Sequence, residues 1–304
     1  MSEETEEKRR PVRAVQQIML GRVLGSEKQA AETLRLIRRA GYDGIELNGF
    51  MIRKTPPVVG LLTALAGMPV GRSGSLDWQS LIRKSGLAAA ALHEDLGTVE
   101  RDLPGILREA QTFGTDTIVI TGMYRYDYTD PAAVSALADR LNKAGRKLAA
   151  HGLSLLYHNH NCEFRRLPAQ QPESGSTPPW QRKTAYDLLL EQTDPEAVGF
   201  EFDSYWAAEA GVDVLSVMRK LGTRMKLYHI NDRGTRAAGK SATPILKSDS
   251  MELGFGSMNL PAYVRQALAN GVSAVILESH RNWAGNSPVQ SLQMSAAFMR
   301  EFVK

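Results

Sequence analysis

Short, nearly continuous apolar runs alternate along this chain with longer stretches whose apolar residues recur every three or four positions. The first kind reads as a strand buried on both faces, the second as a helix with one buried side. The strand-like runs are residues 14–20 (AVQQIML), 43–47 (DGIEL), 87–93 (LAAAALH), 117–123 (TIVITGM), 153–159 (LSLLYHN), 198–202 (VGFEF), 225–230 (MKLYHI) and 274–279 (AVILES). Helix signals fall between them. Ser26 opens one helix, with Gln29 in the capping-box position, Ala30, Leu34, Ile37 and Ala40 on one side and Gly41 as the stop. Asp130 and Pro131 open another, which carries Val134, Leu137, Leu141, Ala144 and Leu148 on one face and is closed by Gly152.

About eight strand–helix alternations predict an α/β fold with a parallel sheet, closed as a single (β/α)8 TIM barrel over residues 13–304. No GxGxxG follows any strand, which removes the main support for a dinucleotide-binding sheet. Three segments are too long or too polar to be plain connections: 50–80, 165–184 and 233–250. The last two follow strands directly, so in a barrel they lie on the catalytic face.

Composition narrows the picture. The 304 residues, 43% hydrophobic and 23% charged, are those of an ordinary soluble globular protein. A net charge of +4 spread along the chain gives no reason to expect nucleic-acid binding. The single cysteine, Cys162, excludes an internal disulfide and a four-cysteine zinc site, and fits a reducing, cytoplasmic compartment. It reads as a packing residue. No apolar run approaches the ~20 residues that span a bilayer. Residues 1–12 read as a disordered, mixed-charge tail.

The polar residues at the strand ends suggest the chemistry. Glu46 ends the second run. His93, Glu94 and Asp95 end the third. His158, His160 and Glu163 follow the fifth, Glu201 and Asp203 the sixth, His229 and Asp232 the seventh, and Glu278 and His280 the eighth. The C-terminal strand ends build the active site of a barrel, and residues two apart on a strand share a face. His158 and His160 are therefore expected to point the same way, as are Glu201 and Asp203. Carboxylates mixed with imidazoles suit a borderline or hard divalent ion: Mn²⁺, Co²⁺, Zn²⁺ or Mg²⁺. Such a site stabilises the oxyanion formed when a histidine base takes a proton from the carbon beside a carbonyl. Tyr205 and Trp206 are candidates for stacking on a ring. Tyr124, Arg125, Tyr126 and His93 are candidates for substrate contact.

In order and spacing, GYDGIEL, YHNHNCEF, FEFDSYWAAEAGVDV, KLYHINDRG, ELGFGSMNL and VILESH resemble the motifs of the sugar phosphate isomerase/epimerase superfamily, the xylose-isomerase-like TIM barrels. The resemblance runs from about residue 13 to the C-terminus. It implies one divalent metal, Mn²⁺ first among the choices, held by a Glu, an Asp, a His and a second Glu. Asp203, His229 and Glu278 match three of these. Many relatives carry the first Glu in a Glu-Asn-His run. Here that run is His158-Asn159-His160, so either His158 takes the place or Glu163 reaches back from the loop. The reading adopted is Glu163 as ligand, with His158 or His160 as base. Glu46, His93, Arg125, Tyr205, Asp232 and His280 are then expected around the substrate.

FMIRKT, AGMPVGRSGSLDW and ALHEDLGTVERDL further resemble the larger subunit of bacterial C-glycoside deglycosidases. That likeness implies a lyase on 3-oxo-C-glycosides. Loss of the C2 proton gives an enediolate, and the aglycone leaves by β-elimination. It also implies an oligomer and a small β-sandwich partner subunit. The alternative is a sugar or cyclitol epimerase/isomerase acting through the same enediolate. A nuclease on this barrel would need more metal ligands and a basic face. A non-catalytic subunit would tolerate loss of the ligands that are present here.

Overall fold

The computed structural model describes residues 10–54, 72–123, 125–168, 178, 181–236 and 245–304. Strands β1 (Val12–Gln16), β2 (Gly44–Asn48), β3 (Ala88–Glu94), β4 (Thr117–Thr121), β5 (Ser154–His158), β6 (Val198–Asp203), β7 (Met225–Ile230) and β10 (Ala274–Leu277) form one closed barrel. Every neighbouring pair is parallel, and the ring closes where Val12–Val15 pair with Ala274–Leu277. The short strands β8 (Asp232–Gly234) and β9 (Asp249–Met251) form a separate antiparallel hairpin after β7.

Amphipathic helices surround the barrel: α1 (Glu27–Ala40), α2 (Trp78–Ser85), α3 (Leu103–Phe113), α4 (Pro131–Ala149), α5 (Ala185–Gln192), α6 (Val214–Leu221), α7 (Leu260–Asn270) and α8 (Pro288–Phe302). Their ends follow local chemistry. The Ser26 hydroxyl accepts the Gln29 N–H at 3.3 Å, and Gly41, at φ +104°, takes the left-handed turn that ends α1. Asp130 caps α4 by accepting the Ala132 N–H, with Pro131 as first helical residue. Among the described residues no helix is long and apolar enough to cross a membrane.

Two apolar layers result. The larger lies between strands and helices. The smaller plugs the barrel interior with Ala14, Ala91, Val119, Leu156, Leu227, Ala274 and Ile276. Strand alternation places the next inward residue two positions on. From the plug this leads to Gln16, His93, Thr121, His158, His229 and Glu278, so one step along each strand changes the interior from apolar to polar.

The first strand is shorter than its apolar pattern predicts. It ends at Gln16, and Gln17–Val23 form a 3-10 helix. The Gln16 side chain accepts the Ile18 N–H at 2.7 Å and the Asn48 side-chain N–H at 2.7 Å, while the Gln17 side chain accepts the Asn48 backbone N–H. Side-chain acceptors thus replace the ladder. Residues 1–9 of the expected tail lie outside the described residues; Arg10 pairs with Asp43 at 3.1 Å and Val12 already belongs to β1. Residues 55–71, 169–177, 179–180 and 237–244 of the three expected long loops, and Tyr124, also lie outside the described residues. The bases of two loops are closed, by an Arg166–Thr184 bridge and by the β8–β9 hairpin.

Candidate metal centre

Seven buried ionisable residues meet at the C-terminal mouth of the barrel: Glu46, His93, His158, Glu201, Asp203, His229 and Glu278. Six come from strands and Glu278 directly follows β10, so each Cα is set by the ladder. One oxygen, Glu201 Oε2, lies 2.9 Å from His93 Nε2, 3.0 Å from His158 Nδ1 and 3.2 Å from His229 Nε2. Glu46 Oε2 approaches His229 Nε2 at 2.6 Å and His93 Nε2 at 3.1 Å. His93 Nδ1 meets the Thr121 hydroxyl at 2.8 Å, so both of its ring nitrogens are engaged. On the other side of His229, Nδ1 faces Glu278 Oε2 at 2.9 Å and Asp203 Oδ2 at 3.8 Å.

Among the described residues of this buried cluster, four carboxylates face three imidazoles. Burial opposes charge on His93, yet Glu46 and Glu201 lift it to about 10. Burial, reinforced by the Glu278 carboxylate, raises Asp203 to about 6. Burial would raise Glu278 as well, but His280 and His229 hold it well below the ordinary carboxylate range. Burial, and then the neighbouring His158, lowers His160 to about 3, so its ring is neutral.

Ligand atoms of His158, Asp203, His229 and Glu278 lie within 4.8 Å of one another, and so do those of His93, His158, Glu201 and His229. The donor chemistry suits a divalent cation: two carboxylates cancel its charge and two imidazoles give it borderline character. Among the described residues the second oxygens of Glu46 and Glu201 also find no hydrogen-bond partner, an arrangement that is costly in a buried site without a positive charge.

Not every residue expected at the site converges on it. Glu163 is buried, but its oxygens accept the Tyr157 hydroxyl at 2.9 Å, the His160 N–H at 3.0 Å and the Cys162 thiol at 3.1 Å. His158, not Glu163, stands beside Asp203, His229 and Glu278. Burial and the adjacent Glu163 push the Cys162 thiol up to about 12, so it stays a thiol. His160 lies beyond the end of β5, yet its ring is 5.1 Å from that of His158. Asp232 is spent on structure: its carboxylate accepts the N–H groups of Arg233, Gly254, Gly256 and Met258 and so ties down the ELGFGSM loop. Tyr205 is buried beside Asp249 and Arg281, whereas Trp206 lies between His160 and His280, with ring centres 5.8 and 5.7 Å away. His280 is at the rim, 3.6 Å from Glu278. Arg125 is exposed after β4, in a left-handed conformation at φ +53°.

Two residues of the site, Glu201 and Asn159, are given no role by the sequence motifs. Glu201 sits at the centre of the cluster, and its spacing of two from Asp203 was the available signal. Asn159 explains part of the HNHN run: its side-chain amide donates to the Asp203 carbonyl and accepts the Asp203 N–H, both at 3.1 Å. It extends the β5–β6 pairing one step past the strand and fixes where Asp203 stands.

Residues 34–302 match the family model described as xylose isomerase-like TIM barrel, and the chain belongs to that family. Over 96 residues it is 32% identical to an inosose dehydratase of Mesomycoplasma hyopneumoniae; this stretch is 32% of the chain and only 27% of the length of that relative. The fold is similar to a sugar phosphate isomerase/epimerase structure from Parabacteroides distasonis, with a TM-score of 0.73, 21% identity, and coverage of 99% of this chain and 98% of the other. It is also similar to a xylose isomerase-like TIM barrel protein from Mycobacterium smegmatis crystallised with magnesium, with a TM-score of 0.62, 15% identity, and coverage of 97% and 96%.

Proposed function

We propose that the protein is a divalent-metal-dependent enzyme that removes the proton beside the carbonyl of a keto-sugar, keto-cyclitol or keto-glycoside. The observation that carries this reading is the buried set His158, Asp203, His229 and Glu278, with the free imidazole of His160 next to it. These four residues would hold the cation, with Mn²⁺ as first choice. A bound cation supplies a Lewis acid that favours negative charge on the substrate oxygens. The chain does the rest. Among the described residues no protein group hydrogen-bonds the ring of His160, which leaves it open to take the proton. Glu163 holds the His160 backbone in place. Trp206 and His280 form an aromatic rim on which a ring can stack, and the β8–β9 hairpin follows the C-terminal end of β7.

After the proton leaves, the electron pair either expels a group from the β carbon or takes a proton back on the other face. We favour expulsion, with a 3-oxo-C-glycoside as substrate and its aglycone as leaving group. The partial likeness to an inosose dehydratase, whose name denotes loss of water from a keto-cyclitol, supports elimination as the reaction type. Epimerisation or isomerisation through the same enediolate is the second reading, and the likeness to a sugar phosphate isomerase/epimerase favours it. The first reading includes a small β-sandwich partner subunit, an oligomeric assembly and a cytoplasmic site of action.

The test is to quantify bound metals and then follow the proton beside the carbonyl by NMR in heavy water, with 3-oxo-glycosides, inososes and common ketoses. Exchange with release of aglycone or water is the expected result. Exchange yielding only a new isomer would establish the second reading. No metal and no exchange, with or without a partner subunit, would sink both.

A further inference from the structure

The structure assigns a positioning role to Glu201: together with Glu46 it dictates which nitrogen of each histidine ligand is turned toward the cation. This inference rests on the metal reading of the site. A neutral imidazole has one N–H and one lone pair, so the partner of one nitrogen decides what the other offers. Glu201 Oε2 lies 3.0 Å from His158 Nδ1 and 3.2 Å from His229 Nε2. With a cation bound, each of these nitrogens carries the hydrogen and the lone pairs stand on His158 Nε2 and His229 Nδ1. The cation takes the place of the proton that His229 Nδ1 otherwise shares with Glu278 Oε2 at 2.9 Å. His229 Nδ1 is the nitrogen that faces Asp203 and Glu278. Glu201 on β6 thus orients His158 on β5 directly, and His229 on β7 together with Glu46, whose Oε2 is the nearer partner of that nitrogen.

Glu201 is itself held. His93 donates from Nε2 at 2.9 Å and is anchored through Nδ1 on Thr121, so His93 has no nitrogen left for a metal or a substrate. Glu46 supports the same nitrogen of His229 at 2.6 Å. All members are nine-tenths buried or more apart from Thr121, so water does not compete for these bonds. The arrangement assigns the four-residue set of His158, Asp203, His229 and Glu278 to the cation. The overlapping set that contains His93 and Glu201 becomes its outer support. Outer carboxylates of this kind orient a histidine ligand and strengthen its donor nitrogen.

Two measurements test this, neither of which needs turnover. The first is nitrogen-15 NMR of the histidines in Zn²⁺-loaded protein, where only six rings contribute. The expected spectrum shows His158 protonated on Nδ1 and metal-bound through Nε2, with the reverse at His229. A metal bound to His158 Nδ1 would overturn the inference and leave the metal site standing. The second is calorimetric titration of metal-free protein with Mn²⁺. Glu201→Gln keeps the size of the side chain and is expected to weaken binding roughly 10–100-fold with an unchanged circular dichroism spectrum. Glu201→Asp, which keeps the charge, should recover part of that loss. Unchanged affinity in Glu201→Gln, or two ions per wild-type chain, would overturn the positioning role. Failure of the wild type to bind any divalent ion would overturn the metal site, and this inference with it.

Discussion

At the scale of single residues, Asp203 and Glu163 separate two jobs that look alike in the sequence. Both are buried acids near β5 and β6. Asp203 Oδ1 accepts the Trp206 N–H at 2.9 Å, while Oδ2 lies toward His229. Asp203→Asn keeps the capping oxygen and replaces the metal-facing one with an amide nitrogen, which is no ligand. Mn²⁺ affinity should fall by more than the roughly 10–100-fold typical of outer residues, while the metal-free variant melts at the wild-type temperature. Among the described residues the Glu163 carboxylate hydrogen-bonds only backbone, hydroxyl and thiol groups. Glu163→Gln should retain full metal content by elemental analysis and lose turnover through a misplaced His160. Loss of the metal in Glu163→Gln would restore Glu163 as a ligand.

At the scale of elements, close approach and charge pairing set the tolerances. Gly145 lies mid-helix in α4, and a Cβ there would stand 2.1 Å from the Ala197 carbonyl oxygen, a backbone atom just before β6. Alanine would contribute at most about 1 kcal/mol of helix propensity, whereas overpacking against fixed backbone costs about 1–3 kcal/mol. Gly145→Ala should therefore destabilise, visible as a lower urea midpoint. At the start of β2, Asp43 is paired with Arg13 of β1 at 2.9 Å and with Arg10 at 3.1 Å. Burial pushes its carboxyl up, but the two arginines outweigh burial and hold it below the ordinary value. A carboxyl lowered in the folded chain contributes stability above its unfolded value near ~3.9, and that contribution is lost as pH falls through the folded value. Asp43→Asn should thus be less stable than wild type in urea at pH 7, with the gap closing below about pH 4 and narrowing in high salt.

At the scale of the whole molecule, the barrel is an apolar plug under a layer of buried acids and imidazoles. Such groups are costly to bury unless they are paired, and among the described residues four carboxylates face three imidazoles. A cation held by the folded chain alone therefore couples to global stability. At 100 times its dissociation constant it adds about 2.7 kcal/mol. Chelation should lower the melting temperature by several degrees, and Mn²⁺ should restore it, in a thermal scan with and without a chelator. Identical melting curves would count against the site.

The sequence by itself determined the architecture. Apolar runs such as TIVIT and VGFEF, separated by capped amphipathic helices, leave few ways other than a closed parallel barrel to bury both faces of eight short strands. It also determined that chemistry gathers at the strand ends, because a barrel brings those ends together whatever the loops do. Only the tertiary structure decided which acid does which job. Whether Glu163 reaches the cluster depends on a turn of 3-10 helix at Cys162–Phe164 that aims it at Tyr157 and His160 instead. Glu201 contacts histidines on three other strands, up to 108 residues away, and the stagger between strands that aligns them is a property of barrel closure. Tyr205 and Trp206 are adjacent in the chain, yet of the two it is Trp206 that lies at the mouth, its ring tilted against those of His160 and His280. Consecutive helical residues point about 100° apart, and the packing of β6 chose which one faces the site.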